Sequence, residues 1–596
     1  MPFMKLLKKR AKLLILIAII LCITLPISIV YQYVYYPSFA FSSLKTELFH
    51  ELYAGDGLSI QFSFADQSAF SGDMPYRLPC FYQAAYETDT CQDYADRLKK
   101  INPEKLSQSD QNLYHRMLSY FSLHNRDKDY LYLENPFRPT GGLQTQLPIL
   151  LAQFPIQDAQ DVEQYFCILE DIPSYFSSYV EYMKIRKAKG ITTSTGDLDE
   201  AIHQCDEMKG PKGKALFYDS FSALIEDEAL SFSVSQKELY LSRCDTLLDS
   251  YVLPAYKQLA DALYILKDEM TGRKGLCRQQ KADYYAILLQ EQTGSSKTLP
   301  QIEALLKKRF ETLYPKWQYE YALLSKTDLS KLEFDLSAEP QTILLQLQDY
   351  MQDQFPTLET DISYDIKTVP HALSAYCAPA YYFTPRIDSY LENTIYVNHP
   401  ELCTCADLFT TLAHEGYPGH MLQSTYFFHN NGLSVMDTAL YQAFANVGYV
   451  EGWALYTELL SYDYLSTSDC IKDETKAHYY KALQLQRELM ICLYCMLDIR
   501  VHIYGDEADD LLPYLARLGL DDKKLAQNLF IYLVNEPTTY ASYYVGYLEL
   551  LELKDFYIAS CDDTGRAYSA KEFHRFLLSC GPISFDEIKQ KMQTVF

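Results

Sequence analysis

The stretch ADLFTTLAHEGYPGHMLQST, residues 406–425, holds two opposed signals. Its first half spaces Leu408, Thr411, Leu412 and Glu415 along one face of a helix. Its second half contains Pro418 and Gly419. Proline removes an N–H donor and clashes with the carbonyl four residues back, so a helix kinks or breaks there. Glycine then reaches backbone conformations closed to other residues. The break falls between His414 and His420, which matters because His414-Glu415 starts like the metal-binding pattern H-E-x-x-H. In that pattern the histidines lie four apart on one face. Here they lie six apart, and at about 100° per residue a regular helix points them about 240° apart. A bulge of one or two residues at the Pro-Gly pair restores a facing pair. The stretch therefore predicts an interrupted helix carrying a metal site.

A hydrolytic zinc site needs three protein ligands, an open position for water and a base. Glu415 stands where the base stands in H-E-x-x-H proteins. A third ligand comes from another element, and NVGYVEGWALYTELLSY (446–462) offers Glu451 and Glu458, seven apart on one helix face. A carboxylate among Val450, Trp453, Ala454 and Leu455 needs a reason. Metal ligation by Glu451 is one; an acidic residue complementing the helix dipole is the other. Glu458 is the lesser candidate for the ligand. Two histidines and one glutamate suit a single Zn²⁺ ion. In ICLYCMLDIRVHIYG (491–505), His502 is a candidate donor to a tetrahedral intermediate with Asp498 orienting it. In NEPTTYASYYVGYLELLELK (535–554), tyrosines after Pro537 offer a phenol for an oxyanion. Taken singly, a lone histidine or a tyrosine run is a packing feature. Cys492 and Cys495 lie in an apolar helical run and read as packing.

The remaining chain supports a mainly α fold with a small β element. Periodicity of 3.6 runs through 237–270, 301–324 and 338–355, while 361–369 and 393–398 read as short strands. Of 596 residues, 48% are hydrophobic, enough for a sizeable core, and only 22 are glycine and 25 proline, as suits a helical body. There are 53 tyrosines, apolar rings with a polar tip suited to packing or to wet clefts. Net charge is −25, which excludes nucleic acid as a partner because phosphate binding needs clustered lysine and arginine. The N-terminus is different. Lys5, Lys8, Lys9, Arg10 and Lys12 precede 18 uncharged residues, Leu13 to Val30. A helix of about 20 residues crosses a bilayer, and its basic flank stays cytoplasmic. This predicts a single-pass membrane anchor over 1–36 with the rest extracytoplasmic. A cleaved signal peptide with a secreted product and a buried helix are the other readings; no A-x-A site follows the run, and Cys22 lacks the small residue before it that a lipoprotein site needs. Beyond the anchor, Cys80 and Cys91 are a plausible local disulfide pair. A division near 330 separates a helical scaffold (37–330) from a catalytic part with the motifs (331–596), without an independent boundary.

HEGYPGH, EGWALYTE, DIRVH and EPTTYASYYVGYLELLELK occur in an order that resembles the bacterial family called domain of unknown function 885, and APAYYFTPRIDSYLENTIYVN (378–398) resembles its tyrosine-rich segment. That family looks like a branch of the gluzincin-type metallopeptidases, with forms close to H-E-(A/G)-x-P-G-H-H, E-G-W-A-L-Y, D-x-G-x-H and P-G-Q-A-x-x-Y-x-x-G. The resemblance is strongest over 376–554. It implies a large helical fold with a deep cleft, similar to thimet-type oligopeptidases and carboxypeptidase Taq. It implies His414, His420 and Glu451 as zinc ligands, Glu415 as base, and His502 and Tyr543 on the oxyanion. Met421 and Arg500 depart from the family forms, and Thr538-Thr539 replaces its Gly-Gln pair, which bears on the backbone beneath Tyr543; Tyr540 and Tyr544 are neighbours able to substitute. The implied activity is zinc-dependent hydrolysis of short peptides. Its alternatives are an amidohydrolase for cell-wall or other non-peptide amides, and a non-catalytic surface binding protein. Oligomeric state is left open.

Overall fold

The computed structural model describes residues 36–596 except 54, 71–76, 125–129, 192, 228–229, 268–271, 326–335, 359, 361, 370–373, 375–377, 399–403 and 468–473. The apolar run 13–30 and the division near 330 therefore lie outside the described residues. Among the described residues no helix is long and apolar enough to cross a membrane, and Cys80, expected as the partner of Cys91, is a free thiol.

The chain forms two compact units. Among the described residues, the first comprises 36–52, 89–124 and 433–444. Its helices Tyr36–Tyr53, Thr90–Lys99, Gln108–His124 and Val435–Ala443 bury Phe41, Tyr94, Leu98, Phe121 and Phe444. Lys45 ties three of them together, its ammonium 2.6 Å from both Asp110 and Asp437. A buried ammonium persists only when paired in this way.

The second unit comprises 53–88, 126–432 and 445–596 and is mainly helical. Its longest helix, α1 (Ala159–Ala188), starts at Asp158, whose carboxylate accepts from the N–H groups of Gln160 and Asp161. Val162, Phe166, Leu169, Ile172 and Phe176 recur every three or four residues and are all buried, so α1 is a core spine rather than a surface helix. The periodic 237–270 segment is two helices, Val234–Leu247 and Leu253–Leu266, joined by a π-helical turn at Leu248–Val252. The other two periodic segments become α2 (Leu299–Leu324) and α3 (Pro340–Met351).

Strands β1 (Ser363–Thr368), β2 (Ala380–Phe383) and β3 (Glu392–Val397) form one sheet in the order β1-β3-β2. β3 runs parallel to β1, with Ser363 opposite Glu392, and antiparallel to β2, with Ala380 opposite Val397. The sequence reading anticipates β1 and β3. It misses β2, whose four residues sit between Pro379 and Pro385 and are too few to show alternation. β2 is an edge strand, so half of its backbone groups are left for other partners.

The motif-bearing helices follow: α4 (Cys405–Glu415), α5 (His420–Asn430), α6 (Val447–Thr467), α7 (Glu474–Ile499) and α8 (Thr539–Thr564). α6 and α8 cross with their backbones touching. A Cβ added at Gly546 would lie 1.9 Å from the carbonyl oxygen of Gly448, and one at Gly452 would lie 2.4 Å from the carbonyl carbon of Gly546. This contact explains the glycines of both motifs, and it brings Glu451 on α6 toward Tyr543 on α8. Gly546→Ala is therefore expected to destabilise the fold by about 3 kcal/mol, at the upper end for overpacking, read as a lower midpoint in urea. An unchanged midpoint would show that the crossing relaxes freely.

Candidate metal centre

The HEGYPGH segment does not bulge, as the sequence suggests; it breaks. α4 ends at Glu415, four residues form a turn containing a cis Tyr417–Pro418 bond, and α5 begins at His420. The turn folds so tightly onto α4 that a Cβ at Gly419 would lie 1.7 Å from the carbonyl oxygen of His414. Only glycine fits there. His414 thus sits in the last turn of one helix and His420 opens the next, and their rings lie 5.0 Å apart at 84°. Two helices with different axes replace the single face of H-E-x-x-H.

α6 closes the site. The Glu451 carboxylate oxygen Oε2 lies 3.9 Å from His414 Nε2 and 3.6 Å from His420 Nε2, and one ligand atom from each of the three residues lies within 4.8 Å of the others. That oxygen is buried and has no hydrogen-bond partner among the described residues. A buried orphan oxygen facing two imidazole nitrogens is costly as it stands, and its separations match two ligands each about 2.1 Å from one tetrahedral ion. Burial disfavours the imidazolium of His420, but the Glu451 and Glu415 carboxylates outweigh it and push its pKa up to about 9. The site is thus strongly attractive to a cation. The donor set fits zinc.

The rest of the EGWALYTE motif holds this arrangement. Trp453 donates from Nε1 to the carbonyl of Pro418 at 3.0 Å, and Thr457 donates to the carbonyl of Ala413 at 3.2 Å. Glu458 is not drawn in as a ligand. Its Oε2 lies 3.0 Å from His414 Nδ1 and its Oε1 accepts from Arg487 Nε at 2.6 Å. Burial opposes the charge of Glu458, yet Arg487 and His414 more than offset it and hold its pKa down to about 2. A carboxylate on the far nitrogen of a ligating histidine fixes the tautomer and aims the other nitrogen at the metal. The seven-residue spacing from Glu451 was the sequence signal for this role.

Glu415 stands beside the cluster, Oε1 3.9 Å from His414 Nε2. Its Oε2 accepts from the backbone N–H of Tyr382 at 2.8 Å, on the free edge of β2. The strand missed in the sequence is therefore what holds the candidate base. Tyr543 faces the same point: its ring lies 6.1 Å from that of His414, and burial, followed by the Glu451 and Glu415 carboxylates, keeps its phenol protonated. A cavity of about 450 Å³ adjoins His414 and Glu415 and is also lined by Tyr462, Tyr532, Tyr540 and Tyr543. Tyr544 is turned away, donating to Glu488 at 3.1 Å.

The structure does not bring His502 to this cluster. It is 1% exposed, its Nδ1 accepts from the N–H of Leu276 at 3.2 Å, and its Nε2 lies 2.9 Å from the carbonyl of Leu533. Burial pushes its pKa down to about 4, so it is neutral with both nitrogens engaged by main chain. Asp498, expected to orient it, accepts from Tyr285 at 2.7 Å and from the N–H of Thr538 at 2.8 Å. Thr538 has φ 67. This left-handed conformation costs a threonine about 1–2 kcal/mol. Asp498 holds Thr538 and His502 holds Leu533, so the two brace the segment that leads into α8 and Tyr543.

The family model for bacterial proteins of unknown function, DUF885, matches residues 76–592. No curated protein sequence matches the chain. Among solved structures, a candidate lipoprotein from Colwellia psychrerythraea superposes with a TM-score of 0.79 at 16% identity, covering 93% of this chain and 98% of its own. A candidate lipoprotein of unknown function from Shewanella oneidensis gives 0.63 at 17% identity, covering 93% and 99%. At such identities the likeness is one of fold. The family match spans most of the chain and includes all four motifs, so the chain belongs to the DUF885 family of bacterial proteins of unknown function.

Proposed function

We propose that the protein is a zinc-dependent peptidase acting on short peptides. One observation carries the reading: three ligand-type side chains from three helices converge on one point, with a separate carboxylate fixed beside it. A pure binding module has no use for that fourth group. His414, His420 and Glu451 would hold a zinc ion, which when bound would supply Lewis acidity and lower the pKa of water to about 7. Glu415, anchored by Tyr382 N–H, takes the proton of the attacking water and returns it to the departing amine. Tyr543, kept protonated, donates its hydroxyl to the developing oxyanion. His502, buried away from the cluster, is assigned a positioning role only. The basic flank and apolar run of residues 1–36 support an extracytoplasmic catalytic part tethered to the membrane.

The test is metal removal. Purified full-length protein is expected to hold about one equivalent of zinc and to cleave members of an unstructured peptide library. A chelator should abolish cleavage and added zinc restore it. Zinc below about half an equivalent after metal-replete expression, or cleavage of cell-wall fragments in place of peptides, would overturn the assignment.

A further inference from the structure

The cavity beside the candidate centre has an uneven charge pattern. Among the described residues that line it, Arg487 supplies the one permanent positive charge, against Asp407, Glu415 and Glu458. Asp407 is committed to the first turn of α4, where it accepts from the hydroxyl of its capping residue Thr404 at 2.6 Å. Glu415 is held by β2. Arg487 spends Nε and Nη2 on Glu458, at 2.6 and 3.3 Å. Its Nη1 has no partner among the described residues, and the side chain keeps 42% of its surface exposed while Glu458 keeps 6%. A guanidinium fixed on one edge and open on the other is half of a fork whose second half still faces the cavity.

We infer that Arg487 anchors the free C-terminal carboxylate of a peptide, which makes the protein a carboxypeptidase-type enzyme. The inference rests on the peptidase reading above and deepens it. The guanidinium is linked to the candidate centre through only two side chains, Glu458 at 2.6 Å and then His414, 3.0 Å from Glu458, and all three line the same cavity. An extended chain advances about 3.3–3.6 Å per residue, so a carboxylate on Arg487 leaves the cleaved bond within a few residues of the peptide's end. The phenols of Tyr540 and Tyr532 line the same cavity and offer hydroxyls and rings to these last residues. In a chain of net charge −25 a carboxylate is not recruited by the general field. A specific, geometrically fixed cation supplies the local attraction instead, and arginine suits a planar carboxylate better than lysine does.

The experiment compares zinc-loaded full-length protein on N-acetyl-tetraalanine with a free C-terminus, on the same peptide as its C-terminal amide, and on an amide with glutamate at one of the last three positions. The free acid is expected to exceed the plain amide at least about tenfold in kcat/KM, mostly through KM. In Arg487→Met the preference disappears while zinc content is retained; Arg487→Lys keeps part of it. Equal turnover of acid and amide by the unaltered protein overturns the anchor and leaves the peptidase reading standing. A preference that survives in Arg487→Met also overturns it, and a glutamyl amide matching the free acid replaces the C-terminus by an acidic side chain as the ligand. If no peptide is cleaved, the peptidase reading falls; calorimetric titration of the acid and the amide into zinc-loaded Glu415→Gln protein still decides the anchor, with equal affinities counting against it. Should Arg487→Met lose zinc or fold poorly, the acid–amide ratio of the unaltered protein and the Arg487→Lys variant carry the decision.

Discussion

Replacing Glu415 by glutamine is expected to lower kcat/KM for peptide cleavage by about 10³-fold, within the range for losing a general base, and to leave one equivalent of zinc in place. Glutamine keeps the length of the side chain and an oxygen to accept from Tyr382 N–H, so the geometry survives and only the proton-accepting carboxylate is lost. The metal is expected to stay because Glu415 lies outside the group of three converging ligands. Progress curves and metal analysis on the same preparation read both quantities. Activity within tenfold of the parent protein would place the base elsewhere; loss of zinc would turn Glu415 into a ligand.

The second large effect separates the two carboxylates of α6. Glu451→Ala removes the proposed third ligand and leaves His414 and His420 alone, so zinc affinity is expected to fall by more than about 100-fold and cleavage with it. Glu458→Gln keeps all three ligands but weakens the hold on His414 Nδ1. It also strips Arg487 of its ion pair. Partners one shell out from a metal cost about 10–100-fold in metal affinity or activity. Competition against a zinc chelator measures the two variants on one scale. If Glu458→Gln proves the more damaging for zinc, the ligand and its orienter are interchanged.

The chemistry of this site was legible in the sequence because it rests on residue types at local spacings. Pro418-Gly419 between two histidines marked a helix interruption, and Glu451 was conspicuous as a carboxylate in an apolar run. The extent of the interruption was not legible. A kink, a bulge and a full break all satisfy the same five letters, and the choice is made by how α4 and α5 pack against α6, with Trp453 holding Pro418 and Thr457 holding Ala413.

His502 shows the converse. Its type and its spacing from Asp498 suited an oxyanion donor, but whether an imidazole nitrogen is free depends on which backbone groups arrive from elsewhere. Leu276 and Leu533, distant in sequence, take both nitrogens. Tyr382 was invisible for a related reason: its contribution is a backbone N–H, which every residue but proline has, and only the position of β2 at the sheet edge aims it at Glu415.

By itself, then, the sequence marked the helical class, two of the three strands among the described residues, and His414, Glu415, His420 and Glu451 as candidates for one site, all of which depend on periodicity or on side-chain chemistry carried along the chain. The tertiary structure alone decided that Glu458 turns to His414 Nδ1, that Asp498 holds the turn at Thr538, and that Arg487 opens into the cavity. Those outcomes depend on the direction in which a side chain emerges from packed helices, as where α6 and α8 meet backbone to backbone at Gly448, Gly452 and Gly546, and the order of residues along the chain does not fix how separate helices pack.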